Sequence, residues 1–366
     1  MKRRSFLLET GGVIACGTPL GAAVKKGELE AAAGILEGAT ESGQVRAASL
    51  YVSQGETVFG RAFGEAASID SIFLLASISK TISVAAVMTL FDREEFALDD
   101  RVTRFLPEFK GEGREAITMS QLLTHVSGLP DQLPENSRLR AAHAPLSAFV
   151  DAAIRTPLLF EPGARYHYSS MAILLATEVA RRISGKPFAD LVDETIYGPL
   201  GMKDSAMGVG RLDPKSLILN QVEFGAPESG AGDPSTKSWD WNSDYWRQLG
   251  APWGGAHGSA PDVARFLGEF LLSGGKALRP ETARLMIRNH NRDGIRPRGL
   301  GFDLGAELGG PGCGTKTFGH TGSTGTRCWA DPDSGTICVI LTTLPASAVN
   351  PHPRDLTSER VAAAAS

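Results

Sequence analysis

Apolar and polar residues alternate near both ends of the chain and follow a helical period between them. Two strand-like runs, residues 47–53 and 56–64, are separated by Gln54-Gly55, a short hairpin signal. A third apolar run, residues 72–76, leads into a helical pattern over residues 77–91 in which small residues widen the apolar face. A broad apolar face is typical of a helix buried between layers, so we expect this helix to be central.

The middle of the chain is predicted to be helical and rich in loops. Helical patterns broken by prolines and glycines cover residues 120–125, 146–155, 169–184, 188–197 and 260–272. Residues 213–250 are rich in Gly, Pro, Ser and Asp, which indicates a long irregular segment. Residues 299–343 return to short apolar runs between turns, so we expect strands to close the chain.

Strands near both ends with helices between them predict an α/β fold of the α+β type. One antiparallel sheet flanked by helices would be built from both chain ends, residues 24–105 and 251–366. A mostly helical domain, residues 106–250, would be inserted between them.

A hairpin is predicted over residues 325–343, with its turn at residues 331–335. This register would set Cys328 opposite Cys338. Directly facing strand positions strain a disulfide, so two packed thiols are favoured and the disulfide is the alternative. Cys313 is the third cysteine after the predicted export signal. The three cysteines form no CxxC motif, and no pair of histidines lies at metal-ligand spacing, so we expect neither a metal nor a cofactor.

The first 23 residues are predicted to be an export signal. Lys2-Arg3-Arg4 precedes a Gly-rich apolar stretch without acidic residues, which resembles a twin-arginine signal. No run of about 18 uncharged apolar residues occurs, so we expect no integral membrane segment in the mature chain. Cleavage near Ala23 is one alternative, and lipidation at Cys16, in a lipoprotein-like box, is the other. The expected location is the periplasm or the cell exterior.

Composition limits the classes of function. The 366 residues are 42% hydrophobic and 21% charged, with a formal net charge of −4, as in an ordinary globular protein. No basic cluster follows the extreme N-terminus, so we expect no nucleic-acid partner. No G-x-S-x-G motif occurs, which excludes the usual α/β-hydrolase nucleophile turn. A small-molecule substrate is expected, and the oligomeric state stays open.

The candidate chemistry lies in Ser77-Ile78-Ser79-Lys80, where a strand-like run enters the central helix. Helix residues three apart project from one face, so the Lys80 amine would reach the Ser77 hydroxyl. A serine hydroxyl needs a proton acceptor to become a nucleophile, and a buried lysine loses its charge more readily. Helix capping is the alternative explanation for Ser77. A second S-x-x-K at Ser273 to Lys276 contains two glycines, which favour a flexible loop.

Six segments occur in the order of a known family. They are LLASISKTIS, LLTHVSGLPD, FEPGARYHYSS, YGPLGMKDS, WGGAHGSAPDVARF and FGHTGSTGTRCWADPDSG. Together they resemble the β-lactamase-like serine hydrolases, which include class C β-lactamases, D-alanyl-D-alanine carboxypeptidases and family VIII carboxylesterases. The resemblance covers nearly the whole mature chain and implies a β-lactamase/transpeptidase-like fold and an acyl-enzyme reaction.

The resemblance implies roles for three residues. Ser77 would be the nucleophile and Lys80 the base that takes its proton. Tyr168 matches the tyrosine of the second motif and would relay the proton to the leaving group. Tyr166 is the other candidate for this role, but its position in the Tyr-x-Tyr-Ser pattern disfavours it. The alternative for Tyr168 is a structural role as a half-buried packing residue.

The third motif of penicillin-recognising relatives is often Lys-Thr-Gly, and this chain has His320-Thr321-Gly322, a variant frequent among esterase-like relatives. Small residues at a strand edge let a substrate lie close to the backbone. The N–H of Ser323 would join that of Ser77 in an oxyanion hole. His320 would either donate to a substrate carboxylate or carbonyl or line the pocket as a neutral histidine.

Ser170 stands where the second motif usually has Asn, and it offers one hydroxyl in place of an amide donor and acceptor. With the missing third-motif lysine, this favours small esters or amides over β-lactams, so the leading hypothesis is a carboxylesterase. The alternatives are a β-lactamase or D-alanyl-D-alanine carboxypeptidase on cell-wall peptides, and a catalytically weak penicillin-binding or scaffold protein. Four tryptophans between residues 239 and 253 would form an apolar wall of the site or pin their loop.

Overall fold

The computed structural model describes residues 25–365, so the predicted export signal, including Cys16, lies outside the described residues. A six-stranded antiparallel sheet has the order β2-β1-β9-β8-β7-β6, and a smaller sheet has the order β3-β5-β4. The strands are β1 Ala47–Gln54, β2 Thr57–Gly64, β3 Phe73–Leu74, β4 Ala206–Met207, β5 Ala256–Gly258, β6 Asp303–Leu304, β7 Phe318–Thr321, β8 Arg327–Asp331 and β9 Thr336–Thr342.

Helices cover both faces of the large sheet and form most of the middle of the chain. They are α1 Lys26–Glu41, α2 Ser79–Asp92, α3 Met119–Leu123, α4 Asn136–Ala141, α5 Leu146–Arg155, α6 Ser170–Ser184, α7 Phe188–Val192, α8 Gly198–Leu200, α9 Asp244–Leu249, α10 Ala260–Leu271, α11 Pro280–Met286 and α12 Pro353–Ala365. A π-helical turn, Asp193–Tyr197, joins α7 to α8. Within residues 25–365, no helix has the length and apolar character needed to cross a membrane.

Side chains of the large sheet alternate between two apolar cores. On β8, Cys328 and Ala330 pack into the core shared with α2 and α10, whereas Trp329 packs into the core shared with α1 and α12. The Trp329 indole N–H also donates to Ser358 Oγ of α12 at 2.9 Å. The first of these cores continues without interruption into the helical middle of the chain, so the domain limits at residues 106 and 250 stay a prediction.

The structure confirms the predicted fold class, with its antiparallel sheet built from both chain regions and a helical middle. The hairpin β1-β2 and the buried central helix α2 lie where the sequence pattern indicates. The segment 213–250 is irregular as predicted, with short 3-10 turns and α9. Strands β6 to β9 lie within residues 299–343 as predicted, but they do not close the chain, because α12 follows β9 and packs with α1 against the sheet. Alanine-rich sequences form helices readily, and tertiary packing decides whether they persist.

The predicted pairing of Cys328 with Cys338 was wrong by one residue. In the structure Cys328 pairs with Val339, and Cys338 pairs with Trp329. The cause is the turn, in which the Gly335 N–H donates to the Asp331 carbonyl at 2.8 Å and four residues separate the strands. A shift of one residue moves a side chain to the other face of a sheet. The two cysteines therefore lie in different cores, and both are free thiols, as favoured by the sequence.

Phe302 joins an aromatic cluster between α10 and the sheet, where it contacts Phe266, Phe270 and Phe318. Phe302→Ala should lower the free energy of unfolding by about 3–5 kcal/mol, because it leaves a cavity among buried rings. Phe224→Ala is the matched control, since that ring is 49% exposed. Denaturant titration of both variants tests this, and equal effects of the two substitutions would contradict the assigned core.

Candidate active site

Ser77 and Lys80 lie within hydrogen-bond distance of each other. Ser77 belongs to a 3-10 turn, Ala76–Ile78, and Lys80 is the second residue of α2. The Lys80 Nζ donates to Ser77 Oγ at 3.1 Å. The predicted proximity of amine and hydroxyl is confirmed, and the roles of the two groups as base and nucleophile stay a prediction.

A backbone carbonyl that sequence reasoning missed holds the Lys80 amine in place. Lys80 Nζ donates to the carbonyl of Trp253 at 2.7 Å. Two serines of α2 fix this segment: Ser83 Oγ donates to the Pro252 carbonyl at 2.7 Å, and Ser79 Oγ accepts the first N–H of β5 at 2.9 Å. A carbonyl leaves no side-chain signature, so the sequence offered no signal for this contact.

Burial lets the Lys80 amine lose its charge at mildly alkaline pH. The side chain is 1% exposed, and burial lowers the pKa of Lys80 to about 8. The Asp131 carboxylate acts in the opposite direction, and the Arg298 guanidinium lowers this pKa further. A substantial fraction of the enzyme therefore holds a neutral amine at mildly alkaline pH.

Tyr168, rather than Tyr166, lines the cavity beside Ser77. The Lys80 Nζ lies 4.8 Å from the centroid of the Tyr168 ring. The Tyr168 hydroxyl is buried near Ser77 and forms no well-aligned hydrogen bond within residues 25–365. Burial raises the pKa of Tyr168 well above its usual value, although Arg298 and the Ser77 hydroxyl act against this. The phenol therefore stays protonated, and Lys80 is the better base of the two.

The turn between β7 and β8 packs closely against the turn that carries Ser77. Ala76 has a φ of 49°, a left-handed conformation that is strained for a residue other than glycine. A Cβ atom on Gly322 would lie 2.7 Å from the Leu75 carbonyl oxygen and 3.1 Å from the Ala76 Cβ. Thr326 Oγ1 donates to the same Leu75 carbonyl at 2.9 Å. The glycine of the third motif therefore permits the close approach of the two turns.

A side chain of α12 holds the β7-β8 turn from behind. Arg354 donates to the carbonyls of Gly322 at 2.7 Å and Thr326 at 2.9 Å. Ser323 lies within this turn and lines the cavity together with Ser77. The two residues thus lie around one cavity, and the role of their backbone N–H groups as an oxyanion hole stays a prediction.

His320 takes part in a buried polar network. Its Nδ1 donates to the Thr321 carbonyl at 2.7 Å, and its Nε2 accepts from Arg298 at 2.9 Å. Arg298 also pairs with the Asp303 carboxylate. Burial lowers the pKa of His320 to about 4, so the ring is neutral. A substrate contact through His320 would first have to break one of these bonds, and the geometry favours the alternative of a neutral histidine.

The hydroxyl of Ser170 is engaged by an aspartate. Ser170 begins α6, with Ser169 as the N-cap, and its N–H and Oγ both donate to Asp131 Oδ1, at 2.9 and 2.6 Å. Asp131 is the last residue of the LLTHVSGLPD segment, and no pattern in the sequence indicated a role for it. Ser170 therefore lines the site with its single hydroxyl already used.

The candidate catalytic residues surround one cavity of about 150 Å³. Its lining consists of Ala76, Ser77, Lys80, Asp131, Gln132, Arg140, Tyr168, Ser170, Glu228, Trp241, Trp246, Trp253, Gly254 and Ser323. Three of the four clustered tryptophans thus form a wall of the site. Sequence reasoning missed Gln132, Arg140 and Glu228, which are brought in from distant loops and helices.

The sequence of this chain is similar to those of known proteins. The family model Beta-lactamase matches residues 32–361. The chain is 31% identical over 298 residues to Esterase EstB of Burkholderia gladioli, a match that covers 71% of this chain and 74% of EstB. It is 24% identical over 346 residues to a putative D-alanyl-D-alanine carboxypeptidase of Escherichia coli K12, covering 82% and 78% of the two chains.

A solved structure has the same fold. A penicillin-binding protein homologue from Caulobacter crescentus superimposes with a TM-score of 0.75 at 22% identity, covering 94% of this chain and 99% of that one. The match of the family model over nearly the whole described chain, together with the fold, shows that this chain belongs to the Beta-lactamase family of serine hydrolases.

Proposed function

We propose that this serine hydrolase is a carboxylesterase that acts on small esters through an acyl-enzyme on Ser77. The observation that carries the proposal is the hydrogen bond of 3.1 Å between Ser77 and a buried Lys80 whose pKa lies at about 8. A hydroxyl and a partly neutral amine at this distance form an activated nucleophile.

Acylation begins when the neutral Lys80 amine takes the proton of Ser77 Oγ, and the oxygen attacks the ester carbonyl. The carbonyl oxygen becomes an oxyanion, which the backbone N–H groups of Ser77 and Ser323 would stabilise. Loss of one such donor typically costs about 10²- to 10³-fold in rate. The tetrahedral intermediate then collapses, and the bond to the alcohol oxygen breaks.

The departing alkoxide requires a proton, which Tyr168 would supply. The phenol remains protonated, and it lies beside both the Ser77 oxygen and the Lys80 amine. Tyr168 donates its proton to the alkoxide and regains one from the Lys80 ammonium. In deacylation Lys80 accepts a proton from a water molecule as the water attacks the acyl-serine. The bond between the acyl carbon and Ser77 Oγ then breaks, the Lys80 ammonium returns the proton to Ser77 Oγ, and the carboxylic acid leaves.

The side chains around Ser77 support small esters as substrates. Ser170 already donates its hydroxyl to Asp131, and it lacks the amide with which Asn would bind a substrate amide. His320 has both ring nitrogens engaged. A cavity of about 150 Å³ has room for a group the size of benzene. The similarity to Esterase EstB supports the same preference.

Export is part of the proposal. The twin-arginine-like segment at Arg3 and Arg4 supports translocation to the periplasm or beyond, with Cys16 as a lipidation site in the alternative form. The Ser77 chemistry would then act on compounds outside the cytoplasm.

Ser77→Ala should reduce the hydrolysis of p-nitrophenyl acetate and butyrate at least 10³-fold, because no other group forms the acyl-enzyme. Ser273→Ala, in the second S-x-x-K, is the matched control and should retain the wild-type rate. Mass spectrometry after rapid quenching should find the acyl group on the tryptic peptide of residues 62–80 and leave the peptide of residues 266–276 unmodified. Wild-type activity in Ser77→Ala would refute the assignment.

The substrate class needs its own measurement. We expect kcat/KM for short p-nitrophenyl esters to exceed that for a chromogenic cephalosporin at least 10-fold, because the site lacks the Asn amide and the third-motif lysine. Faster turnover of the cephalosporin would favour the β-lactamase alternative. Failure of a fluorescent penicillin and a fluorophosphonate to label Ser77 would favour the catalytically weak binding protein.

The pH dependence of kcat/KM for a short neutral ester should follow Lys80. The rate should rise with pH to a plateau with an apparent pKa of about 8, because the neutral amine accepts the proton. Asp131→Asn removes a charge that raises the Lys80 pKa, so it should shift the rising limb to lower pH. Asp151→Asn, which alters an exposed carboxylate, should leave the limb in place. A limb that stays unmoved in Asp131→Asn would contradict this electrostatic coupling.

A further inference from the structure

The residues that line the cavity beside Ser77 include several buried polar atoms that form no well-aligned hydrogen bond within residues 25–365. Four of its lining residues contribute one such atom each: Gln132 Oε1, Arg140 NH1, Tyr168 Oη and Trp246 Nε1. A buried donor without an acceptor costs about 1–3 kcal/mol, and more if it is charged, so most buried polar groups are paired. The Tyr168 hydroxyl has a role in the proposed reaction, and the other three atoms have none.

Arg140 is the most costly of these groups. Its side chain is 1% exposed, and its Nε donates to Asn136 Oδ1 at 3.2 Å on the same helix, α4. The guanidinium carbon lies 3.8 Å from the centroid of the Trp246 ring, a cation–π contact. Among the described residues, no carboxylate forms an ion pair with Arg140. A buried guanidinium is usually paired, since its charge is poorly tolerated in an apolar environment.

The two acidic residues of the cavity do not fill this role. Asp131 Oδ1 accepts hydrogen bonds from the N–H and the hydroxyl of Ser170, and Asp131 forms no ion pair with Arg140 among the described residues. Burial lowers the pKa of Arg140 to about 10 even though the nearby Glu228 raises it. The Glu228 carboxylate forms no ion pair with the guanidinium among the described residues. Arg140 therefore keeps its charge at neutral pH while its NH1 group lacks a protein acceptor.

Two of the unpaired donors belong to side chains in contact: the NH1 group of Arg140 and the indole N–H of Trp246. Both groups can only donate. A cation with a second donor beside it recognises an acceptor-rich anion, and a carboxylate satisfies both. We propose that Arg140, with Trp246, binds a carboxylate of the substrate, so that the preferred esters carry a negative charge a few bonds from the scissile ester. This inference rests on the proposed ester hydrolysis at Ser77 and adds the substrate class.

Two pairs of esters test the proposal on the acyl side and on the alcohol side. Monoethyl glutarate is compared with ethyl 5-methylhexanoate, and acetoxyacetate with isobutyl acetate, because each neutral ester replaces the carboxylate by an isopropyl group of similar shape. Hydrolysis is followed in a pH-stat with the full mature enzyme. In at least one pair the wild type should prefer the charged ester.

Arg140→Gln should reduce that preference, the ratio of the two kcat/KM values, about 10- to 100-fold, as expected for loss of a charge-assisted hydrogen bond. Arg140→Lys should keep part of it, since the charge remains without the planar fork. Arg138→Gln is the matched control on the same helix, because that side chain is exposed. An unchanged preference in Arg140→Gln, or equal loss of activity on charged and neutral esters, would show a structural role and overturn the proposal.

A binding measurement separates this proposal from the esterase proposal. In the Ser77→Ala background, calorimetry should find the charged ester bound at least 10-fold more tightly than in Ser77→Ala/Arg140→Gln. If the neutral esters are not hydrolysed and a fluorophosphonate does not label Ser77, esterase activity fails, whereas the carboxylate site still stands on this binding difference. Equal binding by the two proteins would overturn the carboxylate site even in an active esterase.

Discussion

The rest of the site depends on the buried Lys80 amine, which lies between the Ser77 hydroxyl and the Trp253 carbonyl. Lys80 Nζ bonds to Ser77 Oγ and to the Trp253 carbonyl, and burial lowers its pKa to about 8. A lysine in water would stay charged and would not accept the serine proton near neutral pH. The structure that surrounds it serves to exclude water while keeping these two partners in place. For this reason α2 is buried on all sides, and its serines bind the segment that carries Trp253.

The other half of the site depends on close approach between two turns. Gly322 leaves room for the strained turn at Ala76, and Thr326 and Arg354 fix the distance with hydrogen bonds. Arg354 lies on α12, so a helix at the far end of the chain supports the turn that holds Ser323. Packing of α1 and α12 on the outer face of the sheet thus contributes to the site without touching the substrate.

The charges around the cavity divide between catalysis and recognition. Asp131 and Arg298 shift the Lys80 pKa in opposite directions, and Arg298 also donates to His320, whose pKa is lowered chiefly by burial. Arg140 lies on α4, forms no ion pair with any carboxylate of the described residues, and contacts the Trp246 ring. In the proposed reaction the first group tunes the proton transfer, and in the proposed carboxylate site the second selects the substrate.

The sequence by itself determined the elements that local patterns control. The hairpin of β1 and β2, the buried helix α2, the irregular segment 213–250 and the proximity of Ser77 to Lys80 all follow from periodicity, turn residues and helix geometry. Only the tertiary structure decided the register of β8 and β9, which puts Cys328 and Cys338 on opposite faces of the sheet. The four residues between these strands set this register, which differs by one residue from the predicted pairing. It also decided the Trp253 carbonyl on Lys80 and the position of Arg140, since these contacts join residues far apart in sequence through backbone groups and packing that leave no local pattern.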